Sequence, residues 1–120
     1  MKPYQDARVE GEKLAKQYAE LEKADQVDFY NGLEGYYSVL GHNKKQEAIA
    51  VLIEKNDHKI YVYQLDKGIS QDKAVTISRE KGASDIDKIT FGRYQDKPIW
   101  EVKSGNQYYL VDFETGAVIQ

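Results

Sequence analysis

The start of the chain carries one narrow apolar stripe. Tyr4, Ala7, Gly11, Leu14, Tyr18 and Leu21 recur at alternating steps of three and four, with Lys and Glu on the remaining faces. That period predicts a helix over residues 4–22. Gly11 interrupts the stripe and should weaken the helix by about 1 kcal/mol relative to Ala. The period then changes to two. Val27 and Phe29 alternate, Asn31-Gly32 and Gly35 mark a turn, Tyr37 and Val39 alternate, and Gly41-His42-Asn43 closes that run. Ala48–Glu54 is apolar and β-branched up to Asn56-Asp57, and Ile60–Leu65 forms a further run. Short alternating runs between polar turns predict an antiparallel meander of four strands.

The pattern then restarts. Ser70 stands where an N-cap is expected, Asp72 favours the helix dipole, and Ile69 can staple against Ala74. Ala74, Ile77 and Ser78 share one face, and Gly82 sits at the C-cap position, which predicts a helix over 71–81. Strand signals resume at Ile86–Tyr94, Ile99–Lys103, Gln107–Phe113 and Ala117–Ile119. The turns between them fall at Gln95-Asp96-Lys97, Ser104-Gly105-Asn106 and Glu114-Thr115-Gly116. Phe29 matches Phe91, Tyr37 matches Trp100 and Val39 matches Val102 at a nearly constant spacing, the signature of a duplicated unit.

A chain of 120 residues thereby reads as two units, residues 1–66 and 67–120, joined at Asp66-Lys67-Gly68. Units of that size are marginal alone, so large aromatic side chains have to carry their cores, and the short link favours packing of one half on the other. Ten Tyr, three Phe and one Trp are available. In the first unit Phe29, Tyr37, Val39, Val51, Ile53 and Val62 should face the helix; in the second, Trp100, Val102, Tyr109, Val111 and Phe113. Alternation sends Tyr36, Tyr61, Tyr63 and Tyr108 to the opposite face, where a tyrosine row would suit a protein partner, cover the other unit, or merely pair across strands.

Charge and composition narrow the chemistry. Lys plus Arg is 17 against 20 for Asp plus Glu, and Lys44-Lys45 is the longest basic run, which speaks against nucleic acid. The absence of cysteine excludes disulfides, thiolate metal sites and cysteine nucleophiles. Ser70-Gln-Asp-Lys73, Ser84-Asp85 and Lys103-Ser104-Gly105 resemble the serine motifs of β-lactamases in order. Ser70 is better used as an N-cap, however, and the chain has no room for the helical domain those motifs need. His42 and His58 lie in turns without a partner at zinc spacing, and Asp85 with Asp87 lacks the rest of a calcium loop. No catalytic, metal or cofactor site is expected.

Val111-Asp-Phe-Glu-Thr-Gly-Ala-Val-Ile119 resembles the closing hairpin of PepSY-type domains, Gly68–Ala74 their opening helix and Trp100-Glu-Val102 their central strand. Asp25–Tyr30 and Tyr36–Val39 are similar to the partner domain of the TseB-like cell-wall elongation regulators, and the likeness runs from about residue 10 to the end. The resemblance implies an α+β fold of two tandem cystatin-like, PepSY-type units, each a helix on an antiparallel sheet of about four strands. It further implies a non-catalytic protein, acting in cell-wall elongation through a penicillin-binding protein. It places the protein on the outer face of a Gram-positive cell membrane, anchored by one N-terminal transmembrane helix. Nothing from Met1 onward reads as such a helix, so either a chain trimmed ahead of Lys2 or a soluble paralogue is expected. A peptidase inhibitor or pro-region-like module is the alternative reading.

Overall fold

The computed structural model describes residues 3–119, with side chains from Val9 onward. The order of elements is α1 (Pro3–Tyr18), β1 (Leu21–Asn31), β2 (Gly35–Asn43), β3 (Ala48–Glu54), β4 (Ile60–Gln64), a short 3-10 turn (Leu65–Lys67), α2 (Gln71–Glu80), β5 (Lys88–Tyr94), β6 (Lys97–Ser104) and β7 (Gln107–Asp112). The fold is α+β, with one four-stranded and one three-stranded antiparallel sheet. Two compact units divide between Gln64 and Leu65.

In the first unit α1 lies over β1, β2 and β3 of the sheet β1-β2-β3-β4. Ala15, Leu21, Val27, Val39, Ile49, Val51 and Ile53 form its core, with Leu14, Tyr37 and Ile60 packed at the margin. Gly11 is part of this arrangement: a Cβ there would stand 3.1 Å from the Tyr37 Cβ, so the missing side chain lets the helix close on the sheet. Tyr4 and Ala7 of the expected stripe lie outside the described side chains.

Several expectations for this unit are corrected. The helix stops at Tyr18, which is 61% exposed, because Glu20 turns the chain at φ 57° and Leu21 already belongs to β1. The stripe passes instead through Ala15. β1 is long, and its first half escapes sequence reading because two register shifts, at Leu21/Lys23 and Ala24/Gln26, break the alternation. β2 continues to Asn43, so His42 lies in a strand, not a turn. Val62 lies on the helix side of the sheet, opposite Val51, yet is 48% exposed, because edge strand β4 lies beyond the three strands α1 covers.

In the second unit Ser70 caps α2 as expected, its Oγ accepting from the Lys73 amide at 3.1 Å. At the other end Gly82, at φ 116°, donates to the Arg79 carbonyl and Ala83 donates to that of Ser78. These are the two bonds of a Schellman ending. Phe91, Trp100, Val102, Val111 and Phe113 are buried. The three large rings meet edge to face, Phe91 at 4.9 Å from Trp100 and 5.1 Å from Phe113. Trp100 Nε1 donates to the Ile69 carbonyl at 3.0 Å and so ties the start of α2 to the sheet. The sheet has three strands, not four. Ala117–Ile119 holds only an isolated bridge, Val111↔Val118, behind a turn in which Asp112 Oδ1 accepts from the Glu114 and Thr115 amides. So short a segment folds back as a closing flap on β7, with Ile119 donating to the Leu110 carbonyl.

Candidate functional site

The β1–β2 hairpin and the β3–β4 turn lie at the same end of the first sheet. They are joined by the Lys55 amide, which donates to the Gly35 carbonyl at 3.0 Å. Tyr30 and Tyr36 are register partners at the base of the hairpin, with ring centroids 6.4 Å apart. Tyr36 continues to Tyr61 on β4, edge to face at 6.4 Å. A chain of three rings thus crosses from the hairpin to the edge strand. On the other face Phe29 meets Tyr37 at 5.7 Å and carries the Lys55 ammonium 4.5 Å above its ring.

The expected tyrosine row divides. Tyr36 is only 3% exposed, because the Tyr30 and Tyr61 rings stand on either side of it. Its assignment to an exposed row is therefore corrected. Tyr61 and Tyr63 are half-buried and share one face of β4. Tyr108 belongs to the second unit, is 50% exposed and has the Lys103 ammonium 5.9 Å from its ring. Strand alternation assigned each tyrosine to a face but could not report the crowding of that face.

One residue at this end was read only as part of a turn. Leu33, at the tip of the β1–β2 hairpin, is 70% exposed, the most exposed large apolar side chain among the described residues. Its signal in the sequence is an apolar residue inside Asn31-Gly32-Leu33-Glu34-Gly35, where turn chemistry favours small or polar ones.

Electrostatics at this end are acidic. Burial first, then a hydrogen bond with Asp57 and repulsion from Glu34 and Asp57, hold the Glu54 carboxyl above its usual range, with Lys59 opposing. In the second unit burial also raises the Glu101 carboxyl, against the attraction of Lys88.

The remaining candidates are placed elsewhere. Ser84 and Ser104 meet, the Ser84 amide donating to Ser104 Oγ at 3.1 Å, while the Ser70 hydroxyl serves the helix cap. His42 Nδ1 lies 2.9 Å from Asp25 Oδ2, His58 sits in the β3–β4 turn, and Asp87 Oδ2 accepts from the Gly105 amide at 2.7 Å. Among the described residues no group of three His, Cys, Asp or Glu could hold a metal ion. Also among them, no helix is long and apolar enough to cross a membrane.

Two helix-bearing antiparallel sheets define an α+β protein, and comparison with known proteins gives the family. A family model described as a cell wall elongation regulator TseB-like domain matches residues 10–54, which run from α1 through β3. The "Probable cell wall elongation regulator TseB" of Bacillus subtilis (strain 168) is 36% identical over 114 residues, 88% of this chain and 70% of that protein. The solved structure of the YpmB protein from Bacillus subtilis matches with a TM-score of 0.78 at 31% identity, over 100% of this chain and 96% of that one. The chain belongs to the TseB-like family of cell wall elongation regulators.

Proposed function

We propose that this chain is a non-catalytic regulatory module of cell-wall elongation that works by binding a penicillin-binding protein. The observation that carries the reading is its 36% identity over 114 residues to a protein named a cell wall elongation regulator. The common fold at a TM-score of 0.78 supports it. We read the two units as cystatin-like, PepSY-type domains, and the native protein as held on the outer face of the membrane by one N-terminal helix. The contact surface on the first unit includes Tyr61 and Tyr63 of edge strand β4; on the second unit Tyr108 is a separate candidate. Tyrosine suits such a role because it offers a large apolar body with a polar tip at low entropic cost.

The test is direct binding to the purified ectodomain of the elongation-class penicillin-binding protein from the same organism. The Tyr61→Ala/Tyr63→Ala double variant should bind about tenfold more weakly, the scale of one interface anchor, with an unchanged far-UV spectrum. Failure of the unmodified chain to bind removes the reading; equal binding by the double variant removes β4 from the surface.

A further inference from the structure

We propose that Leu33 is an anchor that inserts into an apolar pocket with a basic rim on the folded protein partner. This rests on the protein-binding reading above and names the contact that reading leaves open. A single exposed leucine ordinarily needs no explanation. This one has three features that a chance surface residue lacks.

The first is its place. At 70% exposure it contributes nothing to the core, and in the middle of a three-residue loop, 32–34, it contributes nothing to turn formation. Folding therefore gives no reason for an apolar side chain there. The second is its support. The Tyr30 ring lies directly beneath Gly32, within 2.6 Å of where a Cβ would stand, and Tyr30 is braced in turn by Tyr36. From the other side the Lys55 amide holds the Gly35 carbonyl. The tip is thus carried on a braced stem, and an anchor ordered before binding loses less conformational entropy on docking. The third is its setting. Through Tyr30, Tyr36 and Tyr61 the stem is continuous with β4, the strand of the proposed contact surface.

Charge selects the occupant. The one charged group in the tip is Glu34, and Asp57 of the neighbouring turn lies close enough to act with it on Glu54. Lys55, above Phe29, and Lys59, which acts on Glu54, keep their charges but lie in the β3–β4 turn and not in the tip. An anionic lipid surface would repel the acidic tip, whereas basic groups around a protein pocket would complement it.

The experiment measures binding of the full chain to the same purified penicillin-binding-protein ectodomain, and separately to vesicles of phosphatidylglycerol and of phosphatidylcholine. Leu33→Ser should weaken binding to the ectodomain about tenfold or more, the scale of losing one buried leucine side chain, and Leu33→Met should retain it. Glu34→Lys should weaken it several-fold at low salt. Thermal melts of the variants should match that of the parent, since Leu33 carries no core contact. Loss with both Leu33→Ser and Glu34→Lys, and retention with Leu33→Met, supports the anchor. Parent-like binding by either damaging variant overturns it while leaving the binding role intact. Leu33-dependent binding to vesicles overturns it in favour of a lipid surface. No binding of the unmodified chain to the ectodomain overturns both the role and the anchor.

Discussion

Gly11 and Ala15 on α1 stand where Ala74 and Ser78 stand on α2: two small residues, four apart, turned to a sheet. Beneath them the same cross-strand aromatic pair recurs. Phe29 lies opposite Tyr37 in the first sheet, and Phe91 opposite Trp100 in the second. The pairs differ in how they are finished. Phe91 and Trp100 are sealed by Phe113, and Trp100 spends its N–H on the Ile69 carbonyl. Phe29 is half-buried, with the Lys55 ammonium 4.5 Å above its ring in place of a third aromatic. The first unit compensates with an aliphatic cluster of Val39, Ile49, Val51 and Ile53 along β2 and β3. The contrast shows that one helix-on-sheet plan tolerates an aromatic or an aliphatic centre, provided the helix face opposite is small.

The sharpest way to break that contrast is to remove the ring from each pair. Phe91→Ala should destabilise the second unit by about 3–5 kcal/mol, the usual cost of emptying a buried ring site. Trp100, the single tryptophan, reports that unit by its fluorescence in urea. Phe29→Ala should cost about 2 kcal/mol, since that ring is only partly buried. Equal shifts in far-UV unfolding curves for the two variants would mean that the difference in burial does not matter.

The role of small residues on the helices is tested next. Gly11→Leu should cost about 2 kcal/mol by forcing α1 off Tyr37, despite leucine's better helix propensity. A gain in stability in chemical denaturation would show that the close approach is dispensable. Ser78 reverses the sign. Its hydroxyl is fully buried without a hydrogen-bond partner, so Ser78→Ala, which restores the residue type of Ala15, should stabilise by about 1 kcal/mol. A loss of stability on the same assay would show that the hydroxyl is satisfied.

The smallest effect concerns Glu101 on β6. Its carboxyl is raised in the folded state, mainly by burial. The fold therefore holds the proton more tightly than the unfolded chain does. The associated stability is complete below the ordinary carboxylate range and lost as pH rises through the raised value. Glu101→Gln, which stays neutral, should be more stable than the parent at neutral pH by a few tenths of a kcal/mol, an amount limited by partial exposure. The two should converge on acidification. A difference that persists at low pH would point to packing instead.

Much of this fold was legible before any coordinates. The capped α2 was readable because Ser70 and Gly82 act through local backbone geometry. The hairpin turns were readable for the same reason, Gln95 and Asp96 both taking the positive φ that a tight hairpin requires. The first half of β1 was hidden because bulges destroy the period on which strand reading depends. The candidate surface was legible only in part. Tyr61 and Tyr63 keep part of their surface and Tyr108 half of it, whereas the burial of Tyr36 depends on rings from two other strands. Leu33 passes in the sequence as one more turn residue and acquires meaning only from the braced stem beneath it.

The α+β class, the restart after Gly68, the cap of α2 and the resemblance to a cell-wall elongation regulator family are all legible in residue order. All of these rest on interactions or patterns local along the chain. Contacts across the fold set the end of α1 at Tyr18, the exposure of Val62 on an edge strand, the single bridge of the last segment, and which tyrosines keep exposed surface. Each of those outcomes depends on contacts between residues distant in sequence. A side chain's periodicity fixes its direction, and only its neighbours in space fix its exposure.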